Sequence, residues 1–124
     1  MSNKKTTEEQ YEDMDNGADF FQVTAKDYKT GEWPWVYETL YLDEAQAYMN
    51  EGIKKSIERA GYWYFPELEW AITWCYDWQK CPETGDWIRP KEECVAGWAN
   101  GEWWKHFVKP TAWYGDEERL GVLK

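Results

Sequence analysis

The stretch "PELEWAITWCYDWQKC", Pro66 to Cys81, places Trp70, Trp74 and Trp78 four residues apart. Side chains at i and i+4 stand on one face of an α-helix, one above the other. Pro66 suits the first helical position, where its missing N–H costs nothing. The spacing predicts a helix over about 66–80. Leu68, Ala71, Ile72 and Cys75 share one face of it, and the three tryptophans form a neighbouring ridge. Glu69, Thr73, Asp77 and Lys80 leave only a narrow polar face. A helix apolar over so much of its circumference is normally buried. The ridge is therefore expected to be mostly core, with a docking surface or a stacking platform for rings as the other readings.

Working outward, the 124 residues suit one domain with a single core. The chain carries 11 Trp, 9 Tyr and 4 Phe, against 4 Ile, 5 Leu and 5 Val. So few branched aliphatic side chains cannot fill a core, and aromatic rings must build most of it. Each buried ring removes roughly 150–250 Å² from water, yet Trp is rarely buried completely because its indole N–H needs a partner. The rings exceed what a domain of this size can hide. A residual exposed aromatic patch is expected, and such patches mark contact sites.

The remaining elements follow from local pattern. Residues 1–16 are polar and acidic, and read as a flexible arm; a short amphipathic turn docked through Tyr11 and Met14 is the other reading. Phe21, Val23 and Ala25 alternate with polar neighbours, "YKTGEW" supplies a Gly-centred turn, and Trp35, Tyr37, Thr39 and Tyr41 alternate on the return. This is a β-hairpin pattern, with Pro34 near a strand start. Asp43 then caps a helix, "DEAQAYMNEGIKKSIERAG", whose apolar face comprises Ala45, Tyr48, Met49, Gly52, Ile53, Ile57 and Ala60. Gly61 is its expected stop. After "YWYF", read as strand-like, and the tryptophan helix come a turn at "CPETGDWIRP" and a short helix at "KEECVAGWANG". "EWWKHFVKP" reads as a strand with Trp104, His106 and Val108 on one side. "KTGEW", "ETGDW" and "NGEWW" each place Gly, an acid and Trp in succession, at spacings too irregular for a repeat fold. Turn chemistry accounts for them, with Gly at positive φ and Trp opening the next element. The expected class is α+β: an N-terminal hairpin and helix, then an aromatic-rich helical region with short strands, packed as one domain over 17–124.

Composition also bounds function. The net charge is −10, from 24 acids and 14 bases. Such a balance argues against binding nucleic acid through its phosphates and against anionic membrane surfaces. It favours solubility or a basic partner. Three cysteines do not make a disulfide framework, the start has no apolar leader region, and no run approaches a membrane span. The expected location is cytoplasmic, with reduced thiols.

No stretch names a reaction. Only two serines are present, and His106 is the single histidine. Cys75, Cys81, Cys94 and His106 have a zinc-like composition, but lack the tight C-x2–4-C knuckles of structural zinc sites. Glu67, Glu69 and Asp77 lie among tryptophans, yet glycoside hydrolysis needs two carboxylates facing each other across a cleft. Single-strand binders join aromatic platforms to a positive groove, whereas Lys54, Lys55, Arg59, Lys105 and Lys109 are scattered. No catalytic residue, metal or cofactor is called for.

The expectation is a small acidic, non-enzymatic interaction protein, an inhibitor or modulator that docks on a basic host protein handling nucleic acid. Size and charge class are shared with counter-defence inhibitors of phages and mobile elements. The alternative is a binder of a nucleotide or sugar in an aromatic pocket. The expected docking residues are the rings least claimed by the core, Trp33, Trp35, Trp103, Trp104 and Trp113, with Asp116, Glu117 and Glu118 in the tail.

Overall fold

A computed structural model describes residues 5–27, 31, 35–63, 68–88, 90–99, 101–111 and 113. The fold is α+β. Two helices, α1 (Thr7–Asp15) and α2 (Leu42–Trp63), accompany strands β1 (Phe20–Asp27), β2 (Trp35–Thr39), β3 (Leu68–Tyr76), β4 (Gln79–Lys80), β5 (Trp87–Ile88), β6 (Lys91–Ala99) and β7 (Glu102–Lys105). Five strands form an antiparallel sheet in the order β2-β1-β3-β6-β7, and β4 and β5 form a separate two-stranded hairpin. Strands β2 and β3 flank β1, run in the same direction, and are joined by α2.

The tryptophan stretch is a strand, which corrects the helix expected at 66–80. A spacing of four is also two periods of a pleat, so Trp70, Ile72 and Trp74 share one face of β3. Their partners are Ala25, Val23 and Phe21 on β1. These six side chains form the heart of the main core, with Ala96 and Trp98 of β6 beside them. The ridge of three tryptophans does not exist. Asp77 takes a positive φ of 60° just past β3, and its N–H donates to Asp19 Oδ1 at 2.9 Å. Trp78 thereby leaves the row and stacks on Phe20, with ring centroids 5.9 Å apart.

The helix expected at "KEECVAGWANG" is likewise a strand, β6. It is buried on both faces over Val95–Trp98, so it shows no alternation. Its register shifts by one residue opposite Ile72 and Thr73. The strand expected over 102–110 is regular only through Lys105. Beyond it the chain crosses the core side, where the Val108 N–H donates to the Val95 carbonyl at 3.1 Å and Pro110 is fully buried.

Helix α2 covers the core face of β1, β2 and β3. Its inward side is Leu42, Ala45, Gln46, Met49, Ile53 and Ser56, and Ile57 is 57% exposed instead of buried. Tyr41, not Asp43, stands at the cap position, since its carbonyl accepts the first helical bond from Ala45 N at 3.1 Å. Asp43 lies in the first turn, where its charge complements the helix dipole. The helix continues through Gly61 to Trp63. The opposite sheet face carries Gln22, Thr24, Lys26, Ala71 and Thr73, all partly accessible.

Within the stretch expected to be an arm, Thr7–Asp15 forms helix α1. Thr6 and Glu9 make a reciprocal capping box: Thr6 N donates to Glu9 Oε1 at 3.0 Å, and Glu9 N to Thr6 Oγ1 at 3.3 Å. The far end closes through Gly17 at φ 87°, with Gly17 N bonded to Met14 O and Ala18 N to Asp13 O, each at 3.0 Å. Gln10 anchors the helix. Its Oε1 accepts from Leu40 N at 3.0 Å and from the Thr39 hydroxyl at 2.9 Å, while its Nε2 donates to Lys5 O at 3.1 Å.

Candidate functional site

The surface chemistry follows from which rings the core accepts. Trp70, Trp74 and Trp98 are buried. Trp70 lies flat on Gly52 of α2, where a Cβ would collide with the ring, and its Nε1 donates to Ser56 Oγ at 3.2 Å. Trp74 stacks on Tyr76 with centroids 4.0 Å apart, and Tyr37 on Tyr48 at 4.4 Å. Three rings with described side chains remain strongly exposed: Tyr11 at 50%, Trp87 at 39% and Trp104 at 53%.

Of the expected docking residues, Trp104 is open. It projects from β7 and its ring covers Gly97 of β6, where any side chain would occupy the same space. Its neighbour Trp103 points to the other face, opposite Trp98, and packs partly buried against Phe107 and under His106. Trp113 is also partly buried, stacked on Phe21 with centroids 5.8 Å apart and tilted against Trp74 at 5.3 Å. The core therefore claims more of Trp103 and Trp113 than the sequence suggests. The backbone of Trp35 belongs to β2, and its side chain lies outside the described residues. Trp33, Asp116, Glu117 and Glu118 lie outside them altogether.

A second exposed area involves residues that sequence reasoning did not single out. Trp87 sits on the C-terminal end of α1, its ring against Gly17 and its Nε1 donating to Asp15 O at 3.2 Å. The Lys80 ammonium lies 5.4 Å from the ring centroid, a cation–π contact. Ile88, next along β5, is 49% exposed. The hairpin turn that carries these residues holds Gly85 at φ 74°, and Gly31 and Gly101 of the two sister motifs adopt 74° and 86°. The glycines of the three Gly-acid-Trp echoes thus share a positive φ.

The titratable groups do not converge. Among the described residues, which include Cys75, Cys81, Cys94 and His106, no three potential metal-ligating side chains come together. All three thiols are free. Burial pushes the Cys75 thiol up to about 12, with Glu92 and Glu38 adding to the effect. Burial also raises Cys94, whose thiol donates to the Ala96 carbonyl at 3.3 Å. Cys81 is lowered by hydrogen bonds from the Thr84 hydroxyl and from the backbone of Thr84 and Glu83 in the turn. Asp77 is paired with Lys91 at 3.1 Å, and Glu67 lies outside the described residues. His106 is exposed and stacks on Trp103 with centroids 5.6 Å apart.

Comparison with protein-family models, with curated proteins and with solved structures returns no match. No helix among the described residues is long and apolar enough to cross a membrane.

Proposed function

We propose that this chain is a non-enzymatic docking protein for a basic partner, of the kind that handles nucleic acid, and that it inhibits or modulates that partner by covering its basic surface. The observation that carries this reading is the exposure of Tyr11, Trp87 and Trp104, among the described residues, in a chain of net charge −10. Aromatic side chains supply interface energy at small entropic cost, and Tyr and Trp dominate interface hot spots. Surrounding carboxylates steer a cationic partner, raise its association rate, and disfavour polyanions.

The test is affinity capture with the immobilised full chain from nuclease-treated extract, eluted by rising salt. A discrete basic protein is expected to be retained at low ionic strength and released as the Debye length shortens from about 10 Å at 0.1 M to about 3 Å at 1 M. Retention of no basic protein, together with a melting-temperature rise on adding nucleotides or sugars, would contradict the reading and favour a small-molecule binder.

A further inference from the structure

The two exposed aromatic areas differ in what surrounds them. Trp104 stands beside Glu102 and Lys105, acids and bases mixed. On α1, Glu8, Tyr11, Glu12 and Asp15 follow i, i+3, i+4, i+7 spacing, so they line one side of the helix, and all four are exposed. Gln10, on the opposite side, is the buried anchor. The base that α1 does engage, Lys5, pairs with Asp13 off this face. None of Glu8, Glu12 and Asp15 is in an ion pair among the described residues. At the end of this face stands Trp87, packed on Gly17 and bonded to Asp15 O yet 39% exposed; Ile88, the next residue of β5, points to the other face of the hairpin.

We propose that the outward side of α1, extended by Trp87 of the β4–β5 hairpin, is the docking surface for a basic amphipathic segment of a partner protein. This rests on the docking reading above and assigns it a place. Tyr11 and Trp87 call for apolar side chains, and the carboxylates of Glu8, Glu12 and Asp15 call for lysines or arginines between them. Lys80 over the Trp87 ring shows that an ammonium group is accommodated at that position. A nucleic acid would meet the carboxylates of Glu8, Glu12 and Asp15 along α1, and so would the same face of a second copy. Only a cationic segment satisfies both halves of the pattern.

The probe is a synthetic helical peptide of lysine and leucine at amphipathic spacing, titrated into the full chain at low and high salt. Wild type is expected to bind at low salt, with amide shifts confined to residues 8–15 and 87. Charge reversal in the Glu8→Lys/Glu12→Lys pair should weaken binding at least about tenfold. The Tyr11→Ser change should also weaken it, while leaving the salt dependence in place. Trp104→Ala should change it by less than about twofold, as expected for a distant site. Circular dichroism checks that each variant keeps its fold. If the peptide, or a basic protein captured as above, binds the α1 variants normally but loses affinity to Trp104→Ala, the placement is wrong and the docking reading stands. If wild type binds neither, both fail. Binding of duplex DNA, or self-association, abolished by the same α1 variants would overturn the proposal by naming a different occupant.

Discussion

Trp70 brings an indole N–H into the core and ends it on Ser56 Oγ, 3.2 Å away, while the Ser56 hydroxyl donates to the Gly52 carbonyl at 2.9 Å. A polar residue on the inner side of α2 is thereby explained: a buried donor without a partner costs about 1–3 kcal/mol, and serine removes that cost. Pattern reading favoured Ile57 for the inner side because hydrophobicity alone ranks it above Ser56. The Ser56→Ala variant is expected to lose about 1–3 kcal/mol in urea denaturation. In a Trp70→Phe background the same change should cost distinctly less, a coupling of about 0.5–3 kcal/mol. Equal costs in both backgrounds would show that the hydrogen bond contributes nothing. Gly52 and Gly97 tell a related story, since each is a seat for an indole. Neither seat is visible in sequence, where a glycine within a helix or strand reads as a weakness.

At the scale of elements, α1 is held to the body by the buried Gln10 and, at its C-terminal end, by the Trp87 indole. Gln10→Ala would remove the amide oxygen that accepts from the Leu40 N–H and the Thr39 hydroxyl, at an expected cost of about 1–3 kcal/mol. Amide exchange should accelerate over Thr7–Asp15 and stay slow in β1 and β3; uniform acceleration would mean that α1 unfolds only with the whole domain. The helix did leave a sequence signal, Thr6 followed three residues later by Glu9, which the acidic composition of the stretch obscured. β1 is legible because one of its faces meets the core and the other is partly accessible, so Phe21, Val23 and Ala25 alternate with polar residues. β3 was misread because Trp70 and Trp74 fit both a helix and a pleat, and the intervening Ile72 was assigned to a different helical face. β6 gave no period at all, being covered on both sides. Of the candidate surface, Trp104 was legible as a ring beyond the core. Trp87 was not, because its place depends on how α1 and the β4–β5 hairpin meet, a contact far apart in sequence.

Across the whole molecule, the supply of rings is larger than one α2-covered sheet face can take. Trp70, Trp74 and Trp98 fill that face, Trp103 and Trp113 lie at its margin, and Trp87 and Trp104 remain outside. With acids outnumbering bases, the surplus sits on a surface that attracts cations and repels phosphates. The division of rings between core and water is the premise on which docking rests. It is tested most directly by fluorine NMR of 5-fluorotryptophan-labelled protein, each resonance assigned by a single Trp→Phe change, with a soluble paramagnetic chelate added. The expected result is strong broadening of Trp104, clear broadening of Trp87, and none of Trp70, Trp74 or Trp98. Protection of both Trp87 and Trp104, or broadening of Trp74, would contradict the account.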